Sequence, residues 1–294
     1  MKNVEFAHSA FTTAERYERG RSGYPPEAVS WLVEVLGIDQ GTAVVDLAAG
    51  TGKFTRLLVA PAGQVVAVEP VAAMRAELAR VVPKARVLGA AAEAIPLRAR
   101  AVQAITVAQA FHWFDPARAL PEMHRILRPG GRVGLIWNRA DTSVPWVARL
   151  DALRSPNKGR PASGSGIDVE RLRGELRHVV RLGRRKLVEL REGRPKPSGD
   201  TSEPWWVARC REGFRDTPLF EPLELKVFRH TERMDADRLV DWVASFSRFS
   251  KLSPSQQEGV VTRVRDLARR ELASEFDFPY RTDVFTTTRR AAGP

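Results

Sequence analysis

The sequence predicts an α/β fold in which a mostly parallel sheet is covered by helices on both faces. Three observations carry this. Short apolar runs alternate with amphipathic segments from Ala43 to Trp137, the pattern of strands and crossover helices. A glycine-bearing turn, Ala48-Ala49-Gly50-Thr51-Gly52, follows the first run directly. Asp46 lies in that first run, and Glu69 closes the second, 23 residues further on. A glycine turn after one strand and an acid at the tip of the next is how doubly wound sheets hold a nucleoside.

The elements follow in order. Ala10–Arg19 is amphipathic, and Pro25-Pro26 open a helix to about Leu36, since proline is preorganised for a first helical turn. Strand Ala43–Leu47 leads to helix Lys53–Ala60, and strand Gln64–Glu69 to helix Ala72–Val81. Strand Ala85–Leu88, the loop Gly89–Leu97, strand Ala101–Ala108 and a helix around Pro116–Leu127 come next. Arg128-Pro129-Gly130-Gly131 turns into strand Arg132–Trp137. After Asn138 the pattern loosens. Ser155–Gly166 and Glu192–Glu203 read as loops around a basic helical stretch, Val169–Leu190. Strand Leu223–Arg229, helices Asp235–Phe249 and Ser253–Leu272, and strand Thr282–Thr288 complete the chain, with Ser253 as N-cap and Pro254 at the first position. The expected division is a nucleoside-binding core over 1–140, a linker and basic insertion over 141–222, and a return to the core over 223–294, where the two helices form a lid.

Composition narrows the classes. With 294 residues, 43% hydrophobic, the chain is globular. No apolar run approaches the roughly 20 residues that span a bilayer. The start, Met1 to His8, carries an acid and no apolar core, so no export signal is expected. The single cysteine, Cys210, excludes an internal disulfide and a multi-cysteine metal site; no metal is expected, and the compartment is expected to be the cytoplasm. The net charge of +12 is concentrated between Arg154 and Lys196, where thirteen basic residues face five acids. That segment is either a solvated insertion or an arm for nucleic-acid phosphates. It holds no aromatic residue for stacking on bases.

Four motifs in the right order resemble the class I S-adenosylmethionine-dependent methyltransferases, a Rossmann-like seven-stranded group with an antiparallel last strand. They are Asp46 to Gly52, Val65-Val66-Ala67-Val68-Glu69-Pro70, Ala92-Glu93-Ala94-Ile95-Pro96-Leu97 and Leu127-Arg128-Pro129-Gly130-Gly131-Arg132-Val133. Tyr17, Arg21 to Pro25 and Gln109-Ala110-Phe111-His112-Trp113-Phe114 are similar to a subgroup that includes enzymes acting on small carboxylic acids such as trans-aconitate. The resemblance implies S-adenosyl-L-methionine as methyl donor and a small-molecule acceptor. A nucleic-acid-directed enzyme and a donor-binding protein without turnover are the alternatives.

The resemblance also assigns roles. Asp46 would receive the donor's ammonium tail, directly or through water, and Glu69 both ribose hydroxyls. Gly50 and Gly52 would let the donor approach the backbone. Pro70, Met74 and the backbone of Ala92 and Glu93 would surround ribose and adenine, with Ala48 and Gln109 at the turn and crevice. Tyr17 and Arg21 would close over the donor. Candidates facing the acceptor are Tyr24, His112, Trp113, Trp137 and Phe246, with His112 either a general base or a structural histidine. Ala48 replaces the first glycine of the family turn, which is tolerable only if its φ is negative.

Overall fold

The computed structural model describes residues 23–153, 205–215, 217–246, 249 and 252–291. The chain divides into two compact units, Met1–Arg154 with Arg209–Pro294, and Ser155–Ala208. The expected helix Ala10–Arg19, Tyr17, Arg21 and the basic segment lie outside the described residues.

The larger unit holds a seven-stranded sheet in the order β3-β2-β1-β4-β5-β7-β6. Its strands are β1 (Ala43–Leu47), β2 (Gln64–Val68), β3 (Arg86–Leu88), β4 (Val102–Ala108), β5 (Leu127–Ala140), β6 (Glu224–Asp235) and β7 (Glu275–Thr288). The first five pair in parallel, and β7 runs antiparallel between β5 and β6. Parallel strands buried on both faces explain the unbroken apolar runs Val44-Val45 and Val65-Val66-Ala67-Val68.

The connecting helices are α1 (Pro26–Val35), α2 (Thr55–Leu58), α3 (Ala72–Val81), α4 (Pro116–Ile126), α5 (Pro145–Leu153) and α6 (Trp205–Arg215). Helix α1 lays Ala28 and Leu32 against Ile136 and Val284. Its close approach is set by Gly134, where a Cβ would lie 2.6 Å from Leu32. Phe214 of α6 packs against Phe111 and Phe220.

Beyond Ala140↔Tyr280, β5 no longer pairs, but β6 and β7 continue together to Asp235↔Glu275. This two-stranded ribbon carries α7 (Ala236–Ala244) and α8 (Pro254–Glu271). With α5 they enclose a separate core around Trp242, Val264, Phe278 and Tyr280. Helix α8 opens on a full capping box between Ser253 and Gln256. Phe246, expected to face an acceptor, instead packs edge-on to Trp242 at 4.8 Å against this second core. Among the described residues no helix is long and apolar enough to cross a membrane.

Candidate methyl-donor site

The carboxyl ends of β1, β2 and β4 lie side by side at one edge of the sheet, and the turn after β1 sits at that edge. Ala49 N–H donates to the Val68 carbonyl, and Gly52 N–H to that of Ala49, closing the turn onto β2. Gly50 has φ +58 and nothing within 4 Å of where a Cβ would stand, so its open side faces free space. Gly52 differs. At φ +86, its Cβ would stand 2.9 Å from Val82 and 3.1 Å from Leu78. The glycine there is required by its left-handed backbone and by the packing of the turn on α3.

Ala48 has φ +53, so the negative φ that would make an alanine strain-free there is not found. A left-handed alanine costs roughly 1–2 kcal/mol. Gln109, in the corresponding place after the neighbouring strand β4, has φ +59. Strained residues of this kind collect at functional sites because the surrounding structure must hold them. Gln109 is held: its N–H donates to the Ile136 carbonyl and its side-chain amide to that of Asn138 at 3.0 Å. Ala48→Gly is expected to stabilise the protein by ~0.5 kcal/mol, relief of strain being partly offset by the freer unfolded chain. A urea melt reads this, and destabilisation by more than about 0.5 kcal/mol would contradict it.

Glu69 is 4% exposed at the tip of β2. One carboxylate oxygen accepts from Gly50 N–H at 3.0 Å and the other from Val71 N–H at 2.9 Å. Each oxygen keeps a second lone pair. Burial pushes this carboxyl up from its ordinary value, opposed by the two N–H bonds and the nearby Arg75 charge. Arg75 itself donates to the Glu69 and Pro70 carbonyls, fixing the chain just past the strand. Met74 is buried on α3, Ala92 is buried, and the Glu93 carboxylate accepts from Asp115 N–H at the start of α4.

Asp46 is fully buried. Its oxygens accept from the Thr55 hydroxyl at 2.6 Å and the Thr106 hydroxyl at 2.8 Å. It therefore fastens the turn and α2 to β4 from beneath, with both carboxylate oxygens engaged by hydroxyls. Burial raises its pKa to about 6, with the Glu69 charge adding to the rise and the two hydroxyls opposing it. The folded chain thus binds this proton more tightly than the unfolded chain. Its stabilising contribution is full below pH 3.8, the ordinary value, and is lost as pH rises through about 6. Asp46→Asn should flatten the fall in unfolding free energy between pH 4 and 6 by on the order of 2–3 kcal/mol. Parallel wild-type and variant curves from urea melts would contradict it.

The start of the described chain crosses this edge. Gly23 N–H donates to Glu232 of β6, the Asn138 amide donates to the Gly23 carbonyl at 2.6 Å, and Tyr24 meets Phe54 edge-on at 5.0 Å. The segment thus spans from β6 over β5 to the start of α2, and Tyr24 sits beside Phe54, just past the turn after β1. His112 and Trp113 form a 3₁₀ turn after β4, their rings 4.8 Å apart, with Trp113 46% exposed and His112 half-buried. Trp137, expected to face an acceptor, is 2% exposed and packs edge-on to Phe285, inside the sheet's packing.

Sequence reasoning missed the fastening hydroxyls. Thr55 and Thr106 stand in otherwise apolar, buried surroundings, and a buried hydroxyl in a strand beside a buried acid is the signal that would have found them. The turn Pro129-Gly130-Gly131 lies at the amino ends of β4 and β5, where it borders a cavity of about 330 Å³ with Leu36, Gln103 and Arg132. It is a landmark of the fold, at the opposite end of the strands from the crevice. Among the described residues no cluster of His, Cys, Asp or Glu could hold a metal ion.

Residues 45–135 match the model of a family described as a methyltransferase domain. An uncharacterized methyltransferase of Mycobacterium tuberculosis is 50% identical over 134 residues, 46% of this chain and 54% of the relative. An uncharacterized methyltransferase of Schizosaccharomyces pombe is 35% identical over 146 residues, 49% of this chain and 58% of the relative. The chain spans about half the length of the curated relatives it matches. Among solved structures, a protein assigned as a type II methyltransferase from Anaeromyxobacter dehalogenans superposes with a TM-score of 0.59 at 19% identity, over 92% of this chain and 97% of that one, a likeness of fold. Residues 45–135 thus resemble a methyltransferase domain in sequence, and the seven-stranded sheet shares its fold with that solved methyltransferase structure.

Proposed function

We propose that the chain transfers a methyl group from S-adenosyl-L-methionine to a small-molecule acceptor, at an oxygen, carboxylate or nitrogen. One observation carries this reading: the buried Glu69 carboxylate and the open backbone of Gly50 are bonded to each other at the carboxyl ends of adjacent parallel strands. Ribose hydroxyls need acceptors, and the two remaining lone pairs of Glu69 supply them. The open side of Gly50 leaves room for the donor's amino-acid part along the turn.

The charge of the site supports the same donor. Two buried carboxylates, Asp46 and Glu69, lie under the crevice of a chain whose net charge is +12. A sulfonium donor gains from that local negative field, whereas a pyrophosphate would meet repulsion. The donor supplies an activated methyl group. The chain's part is to bind both partners, align them and exclude water, which accounts for much of the acceleration in such transfers. His112, at the carboxyl end of β4, is the candidate to orient an acceptor or take its proton.

Calorimetric titration with S-adenosylhomocysteine tests donor binding, with one site per chain expected. Incubation of labelled donor with a metabolite pool tests turnover, with label expected in a small acidic, hydroxylated or amine product. Binding without transfer to any acceptor would favour a donor-binding protein instead.

A further inference from the structure

We infer that Arg139, Arg281 and Arg229 form an oxyanion-binding row that recognises a carboxylate or phosphate group of the acceptor. Arg139 of β5 stands opposite Arg281 of β7, which in turn stands opposite Arg229 of β6. Directly opposed residues share one face of a sheet, so three guanidinium groups lie side by side across three strands. Like charges in that arrangement are destabilising, and the fold neutralises them incompletely. Buried Asp283 accepts from the Nε of both Arg139 and Arg281, at 2.9 and 2.6 Å. Asp141 accepts from the Nε of Arg229 at 3.1 Å. Two carboxylates thus face three cations, and the hydrogen bonds use only the Nε edge of each guanidinium. The Nη groups have no hydrogen-bond partner among the described residues.

The row is also prepared and well placed. Arg139 and Arg281 are only 20% and 28% exposed, and a shared buried carboxylate fixes their planes. Little side-chain freedom remains to be lost on binding an anion, and forked guanidinium donors suit planar or tetrahedral oxyanions. Strand β4 ends at Ala108 opposite Ile136, so Arg139 projects past it on the carboxyl side. The Gln109 side chain, after β4, is bonded to the carbonyl of the adjacent Asn138. The row therefore borders the crevice edge and lies at the root of the ribbon that carries α7 and α8.

This inference rests on the proposed function for the word acceptor, but its test does not. The full chain is titrated calorimetrically with citrate and with inorganic phosphate at constant ionic strength. Arg229→Gln is the main variant, because Arg229 is 64% exposed and its loss leaves the Asp283 pairs in place. Arg270→Gln, on the exposed side of α8, removes the same charge elsewhere. Saturable binding of either anion, about tenfold weaker in Arg229→Gln and unchanged in Arg270→Gln, is expected. Preference for citrate identifies a carboxylate, and preference for phosphate a phosphorylated acceptor. Absence of saturable binding in the wild type, or equal weakening in the two variants, overturns the inference. S-adenosylhomocysteine affinity, measured on the same samples, should not change. Its failure in the wild type would sink the proposed function while leaving anion binding by the row to stand on its own titration.

Discussion

Replacing Glu69 with alanine is expected to weaken S-adenosylhomocysteine binding about a hundredfold, two hydrogen bonds to a charged group being worth ~1.5 kcal/mol each. The carboxylate is buried and already oriented by Gly50 and Val71 N–H, so no further ordering of it would be needed to accept from a ribose. The substitution also strips those two N–H groups of their acceptor, which costs ~1–2 kcal/mol of stability. Glu69→Gln keeps an acceptor oxygen and should recover roughly half of the lost binding free energy. Because burial raises the pKa of Glu69 in the free protein and a cationic donor favours its charged form, wild-type affinity should fall as the solution is acidified toward that raised value. A folded Glu69→Ala protein that binds within threefold of wild type would remove Glu69 from the site.

Gly52→Val should destabilise the fold by ~3–4 kcal/mol, the sum of left-handed strain and overpacking against Val82 and Leu78. For a chain of this size that is a fall in melting temperature on the order of 10 °C. Gly50→Ala is its counterpart. It shares the left-handed backbone, so about 1–2 kcal/mol is lost, but the new methyl group stands in open space. Donor affinity, and not stability, should then carry the larger effect. The two neighbouring glycines separate packing from access. Equal loss of stability in both variants would contradict that separation.

The parallel core was legible because burial on both faces leaves unbroken apolar runs, and because Gly50 and Glu69 are spaced by one strand–helix–strand unit. What the sequence hid has local causes. The outer halves of β6 and β7 were missed because Thr231-Glu232-Arg233 is polar and Pro279 interrupts the alternation Phe276, Phe278, Tyr280. Proline is tolerated there because it lies where the β5 ladder ends: Asp141 N–H still donates to the Pro279 carbonyl, and the missing Pro279 N–H costs only the last reciprocal bond. Helices α5 and α6 were missed beside the loops that dominate their neighbourhood. In the site, residue types were readable but side-chain direction was not. Asp46 and Trp137 are on the right strands and point into packed interior. Gly52 has the right conformation and faces α3. The positive φ of Ala48 was unreadable because nothing in an alanine announces it.

Backbone hydrogen exchange, with and without saturating S-adenosylhomocysteine, tests the central claim most directly. Protection is predicted at Ala49–Gly52 and Glu69–Val71, the two segments joined by the Glu69 carboxylate. Little change is predicted at Arg128–Arg132, which line the cavity at the opposite end of the strands. Protection confined to that cavity, or none at the turn after β1, would contradict the assignment of the donor site.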